Sequence, residues 1–220
     1  SASFVSTKVQ RDLTAYAESS ELNKYGARFK YSRFLKVIDS SHESVTSNIT
    51  TVEMRRDLRL AISEVAEYAI DFGNQFHIQS MNGFNIRSSA FRVLNINTDV
   101  YLYDTPDSTG EKGQISLFSL NEGSSTPVIQ RRNIGVIDYK KGRITLDPIN
   151  IVSGKTKDNV DILEISATPE SNDIIGLQDL YLQLDSSFVD MVVDEISSGA
   201  DPSGSTYTVT TSYKNGNIIR

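Results

Sequence analysis

"KYSRFLKVIDSSHESVTSNITTVEMRRDL", Lys30 to Leu58, sets two periods back to back. In its first part Tyr31, Phe34, Leu35 and Ile38 recur at i, i+3, i+4 and i+7, the spacing that lines one face of an α-helix. Ser32 is the residue type that caps a helix start, and Asp39-Ser40-Ser41 are turn formers that would end it. From Val45 onward threonine, valine and isoleucine take over, and Thr50, Val52, Met54, Arg56 and Leu58 fall on one face at period two. The stretch therefore predicts a short helix feeding a long strand over 45–58. A chain that changes period in this way is neither all-α nor all-β.

Toward the N-terminus, Val5, Val9, Leu13, Tyr16 and Ala17 share one helical face while Arg11, Thr14 and Glu18 point away, so a helix is expected over Val5 to Ala17. Toward the C-terminus, 58–72 fits both periods, with the strand alternation of Ala66, Tyr68, Ile70 and Phe72 favoured in its second half. Strand patterns then dominate: 86–94, 100–103, 114–120, 128–131, 134–139, 143–146 and 160–167. Pro106-Asp107-Ser108, Asn121-Glu122-Gly123 and Lys140-Lys141-Gly142 punctuate them, the last with glycine where a short hairpin needs a positive φ. Further strand-like pieces are read at 173–184 and 206–213, and 188–196 fits a short helix or an extended piece. SSGADPSGS, Ser197 to Ser205, has linker composition. The expected fold is α+β, with short N-terminal helices (1–44), a β-rich body of mostly antiparallel strands (45–196) and a linker with a C-terminal arm (197–220).

The bulk properties exclude several functions. Of 220 residues, 38% are hydrophobic and 23% charged, enough apolar matter for a real core. With 22 basic against 28 acidic residues the net charge is −6, which argues against nonspecific nucleic-acid binding. The chain has no cysteine, so disulfides, thiol nucleophiles and cysteine-bound zinc are ruled out. No apolar run approaches the roughly 18 residues that span a bilayer, and SASFVSTKVQ lacks the basic end and apolar core of a signal peptide, so a soluble chain with no membrane partner is expected.

Chemistry is sparse. His42, in SSHES, has no acid or nucleophile-elbow glycines at suggestive spacing, and His77, in FHIQS, sits with Gln75 and Gln79; both read as surface histidines. Asp99, Asp104, Asp107, Asp158, Asp161 and Asp173 read mostly as turn residues, and nothing selects a catalytic pair. DSTGEKG, Asp107 to Gly113, lacks the glycine-lysine-serine signature and a following helix, so it reads as a hairpin loop rather than a phosphate loop. Arg55-Arg56, Arg59 and Arg131-Arg132 are short basic groups without the interleaved aromatics that stack on bases. Tyr101, Tyr103 and Tyr139 either line a sugar-binding surface or cover core edges.

The opening stretch also resembles the large J-like wedge subunit of the baseplate in T4-like contractile phages. "YAIDFGNQF" (Tyr68–Phe76), "IGVIDYKKGRITL" (Ile134–Leu146) and "ATPESNDI" (Ala167–Ile174) resemble the C-terminal part of the same family in the same order, so the similarity runs over about 28–185. The family protein is much longer, which, with Ser1 in place of Met, implies a C-terminal portion ending naturally at Arg220. The resemblance implies a structural virion protein of the tail baseplate, assembled in the host cytoplasm, with no enzymatic activity, cofactor or metal. It implies self-association into a homodimer and a ring of wedges around the hub, contact with other wedge and hub proteins, and conformational change on sheath contraction. Val9, Leu13 and Tyr16 of the first helix, and Tyr31, Phe34, Leu35 and Ile38 of the second, are then the candidate interface. The same second face equally suits covering the chain's own sheet. A carbohydrate-binding or adhesin module of a phage tail is the alternative, and it expects an exposed aromatic cluster. A glycan hydrolase would need two converging carboxylates.

Overall fold

The structure, a computed structural model, describes residues 2–22, 24, 29–121, 126–174, 182, 184, 189–192, 213–214 and 217–218. Two helices, α1 (Ala2–Ala17) and α2 (Tyr31–Ser41), precede a body of antiparallel strands, so the α+β expectation holds. Strands β1 (Met54–Arg59), β3 (Ile86–Ser88), β9 (Lys155–Lys157) and β10 (Val160–Ala167) form one sheet, with β10 pairing all three others. The second sheet has the order β2 (Val65–Asp71), β8 (Arg143–Ser153), β7 (Pro127–Asp138), β6 (Lys112–Leu120) and β5 (Tyr101–Pro106). The two-residue β4 (Arg92–Val93) pairs β8 beside it. β11 (Tyr213–Lys214) and β12 (Asn217–Ile218) form a separate pair.

Both sheets feed one core. Met54, Ile86, Leu163 and Ile165 from the first meet Tyr68, Ile70, Ile115, Leu117, Ile137, Ile144 and Leu146 from the second, with Phe72 against Phe76 edge-on at 5.0 Å. A smaller cluster joins α1 to α2: Val5, Val9 and Leu13, at i, i+4 and i+8, bury against Phe34, Val37 and Ile38. Phe29 links the clusters, since it packs on the large core and lies 5.8 Å from the Phe34 ring. Tyr31 adds a second tie, its hydroxyl donating to the Thr50 carbonyl at 2.8 Å.

Several sequence expectations need correction. α1 begins at Ala2 rather than Val5. Ser32 does not cap α2; Lys30 holds that position in an extended conformation without a side-chain bond, and its carbonyl accepts from Arg33 and Phe34. Asp39-Ser40-Ser41 continue the helix, because Ser41 Oγ bonds back to the Val37 carbonyl at 2.6 Å, and His42 ends it. The long strand over 45–58 shrinks to β1: β10 ends opposite Met54, so residues 45–53 have no ladder partner among the described residues. The single strand over 86–94 is two strands in different sheets, β3 on β10 and β4 on β8.

Bulges account for the opposite error, strands read too short. At the β2–β8 pairing Tyr68 faces Leu146 and Ala66 faces Ile149, so Asp147 and Pro148 together oppose Glu67. Proline has no N–H to give a ladder and is at home in such a bulge. The inward set changes phase there, from Ile144 and Leu146 to Ile149 and Ile151, and β8 runs on to Ser153. In β7 a second irregularity sets Arg132-Asn133-Ile134 against Ser116, with Asn133 at φ 53 and its N–H on Ser116 Oγ, joining two expected strands into one. The 173–184 strand, the 188–196 piece, the 197–205 linker and the 206–213 arm lie mostly outside the described residues. Where 173–174, 182, 184 and 189–192 are described they carry no strand or helix.

Candidate functional site

The α1–α2 pair draws together most of the candidate interface residues. Val9 and Leu13 are buried against α2, which runs alongside the first helix as a neighbour within the chain. Tyr16 and Phe34 meet at 6.4 Å between ring centroids, and Ile38 joins the same cluster. The Tyr16 hydroxyl is buried with no hydrogen-bond partner among the described residues, and burial, then the charge of Glu21, raises its pKa. Polar contacts fix the pair: Lys8 Nζ reaches the Ser41 carbonyl and, at 3.3 Å, Asp12, and Arg33 meets Glu21 at 2.6 Å. Tyr31 faces the large core instead. Leu35 is half-buried and belongs to neither cluster of the described residues; it lies on the flank of α2 next to Tyr31, between the buried side and the exposed face of Ser32, Lys36 and Asp39. Two further apolar side chains stand open nearby in sequence: Phe4 at 61% exposure, edge-on to His42, and Ile49 at 99%, on the unpaired run after α2. A single exposed isoleucine is ordinary on a protein surface; Ile49 counts here only together with the other exposed apolar residues of this segment.

The polar candidates fall into structural roles. Asp104 is not a turn residue: it lies in β5, buried, in the same inward row as Leu102. Its Oδ1 accepts from the N–H groups of Asn85 (2.7 Å) and Ile86 (3.0 Å), and its Oδ2 from Asn85 Nδ2 (2.7 Å) and the Tyr139 hydroxyl (2.6 Å). Four donors satisfy the buried charge and lock β5 to the start of β3 and to the β7–β8 turn. Burial, and then the Asp104 bond, push the Tyr139 hydroxyl well above the ordinary tyrosine range. Asp107 does occupy a turn. The Thr109 hydroxyl first, then the backbone of Thr109 and Gly110, hold its carboxyl below the usual range, and the β5–β6 hairpin confirms the loop reading of DSTGEKG.

His77 is half-exposed and its Nδ1 lies 2.8 Å from Glu170, beside an open groove of about 390 Å³ that also takes in Glu111 and Lys140. His42 Nδ1 accepts from the Ser44 N–H at 3.1 Å. Among the described residues no three histidines or carboxylates stand close enough to hold a metal ion. Arg55 pairs with Asp57, and Lys155 and Lys157 with Glu164 and Asp57, so this basic group laces the outer face of the β1–β10 sheet. Of the tyrosines, Tyr103 and Tyr139 are buried. Tyr103 lies under Phe84, stacked at 5.0 Å and 19°, with Phe118 and Tyr101 alongside. Phe84 is half-exposed, and Tyr101 and Phe118 are partly exposed, so this group of rings reaches the surface.

Residues 1–57 match a family model described as baseplate structural protein gp6, C-terminal domain III. The matched segment takes in α1, α2, the unpaired run and the first residues of β1, and so contains all the candidate interface residues. No curated protein matches the chain. The match agrees with a baseplate wedge subunit, supports a structural and non-enzymatic role in the phage baseplate alongside other baseplate components, and indicates the virion tail baseplate as its place. No helix of the described residues is long and apolar enough to cross a membrane.

Proposed function

We propose that the chain is the C-terminal portion of a baseplate wedge subunit from a contractile phage tail, and that it works by self-association, joining neighbouring wedges into the inner ring around the hub. Its partners are a second copy of itself and the other wedge and hub proteins, and it needs no cofactor. In this reading residues 1–44 carry the association, 45–196 form the body that holds them in place, and 197–220 are a linker and arm. The observation that carries it is the family match over residues 1–57, the segment in which Phe4, Leu35 and Ile49 hold apolar surface outside the two cores. A two-fold pairing of that surface would bury the same apolar patch on both copies at once, without new backbone bonds. Val9, Leu13, Tyr16, Phe34 and Ile38 serve it by keeping α1 and α2 in one rigid orientation, and Tyr31 by tying α2 to the extended run.

The absence of cysteine gives a clean test. A Leu35→Cys chain carries a single, partly exposed thiol on the flank of α2, and mild oxidation should give a disulfide-linked dimer as its main product. A Lys140→Cys chain, with its thiol on the β7–β8 turn, should stay monomeric under the same treatment. Equal yields from both, or none from Leu35→Cys with its thiol accessible, would argue against association through the helical pair.

A further inference from the structure

β7 holds two neighbours over only part of its length. Residues 135–138 pair with β8 on one side and β6 on the other, while Pro127 to Arg131 pair with β6 alone among the described residues. β8 pairs β2 along its other edge, and beyond Leu146 it pairs β4 rather than β7. All residues from Pro127 to Asn133 are exposed, including Val128 (37%) and Ile129 (40%). Among the described residues this is an unpaired strand edge with apolar side chains, its free backbone groups confined to 128–132 because Pro127 has no N–H and the Asn133 N–H is held by Ser116 Oγ; it is a short template onto which another extended chain can add.

Charge says which chain. Arg131 and Arg132 stand on this edge, and neither meets a carboxylate among the described residues. Arg132 also lines an open groove of about 370 Å³ with Lys112, Gln114, Asn133 and the exposed Val136. A second copy pairing the same edge about a two-fold would bring four guanidinium groups together, because PVIQRRN contains no acid. The geometry points to β-strand addition at the 128–132 edge of β7 by an extended, acidic segment of another protein. It rests on reading the chain as an assembly component, but it uses a different surface from the helical pair and a different partner.

The test titrates the full chain with two capped heptapeptides, one alternating valine with glutamate and the other valine with lysine, and follows amide hydrogen exchange. The glutamate peptide should slow exchange at residues 128–132. Exposed charge pairs contribute little singly, so Arg131→Glu with Arg132→Glu should weaken it roughly tenfold and favour the lysine peptide. No protection at saturating glutamate peptide, or equal binding of both peptides by the unaltered chain, overturns the inference. Concentration-dependent protection without peptide also overturns it, since that assigns the edge to a second copy. Sedimentation of the doubly substituted chain keeps the two readings apart: self-association through α1 and α2 should be unchanged whether or not the peptide binds.

Discussion

Asp104 is the one charged side chain among the described buried residues, and its four donors come from two separate places in the chain, Asn85-Ile86 and Tyr139. Tyr139→Phe removes one donor without opening a cavity, so unfolding by denaturant should show a loss of about 1–3 kcal/mol. Tyr139 also carries a sign for pH. Its folded pKa is raised above the unfolded value, so the folded state keeps a proton that the unfolded state loses. Its stabilisation is whole below about pH 10 and falls as pH rises beyond that. The gap in stability between the unaltered chain and Tyr139→Phe should therefore narrow above about pH 10; a gap that held constant would deny the ionisation of Tyr139 any part in the network. Gly142 makes a second local demand: at φ 67, a Cβ there would collide with the Asn74 carbonyl. That turn was legible in Lys140-Lys141-Gly142, since only glycine adopts such a φ freely. Asp104 was not, because a buried aspartate and a turn aspartate look alike until the donors opposite are known.

Helices were easier to read than strands. Val5, Val9 and Leu13 on α1, and Phe34 and Ile38 on α2, kept one period from end to end, and the structure buries them against each other. Leu13→Ala leaves a hole between the helices and should cost about 2–4 kcal/mol. Amide exchange should rise in 2–17 and 31–41 first if the pair opens apart from the sheets, and a loss spread evenly over the sheet amides would show that it does not. Strand boundaries were obscured by bulges, since Pro148 reverses the inward phase of β8 and Asn133 interrupts β7. β9 escaped notice altogether: Lys155-Thr156-Lys157 has no apolar residue, and its turn, Asp158-Asn159 with φ 50 and 60, lacks the usual glycine. The run at 45–53 misled in the other direction. Its composition favours a strand, but β10 is too short to pair it.

At the scale of the whole molecule, the scarcity of chemistry and the form of the surface belong together. Histidines and acids that might have built a site stand in hairpin turns, ion pairs and one buried network, while apolar side chains remain exposed on the matched N-terminal segment and along β7. The likeness to a baseplate structural protein was legible in the stretch at 30–58, which lies almost wholly within the matched residues 1–57, while the other three stretches fall outside the match. The interface was not, because the helical period that marks a buried face is the same whether a sheet, a second helix or a second copy buries it. The central claim, that this chain associates with itself, is tested most directly by sedimentation velocity across a concentration series at low and high salt. The account predicts a dimer or larger ring that persists at high salt, as apolar contacts should, since salt screens only exposed charge pairs. A monomer at every concentration in both salts would contradict it.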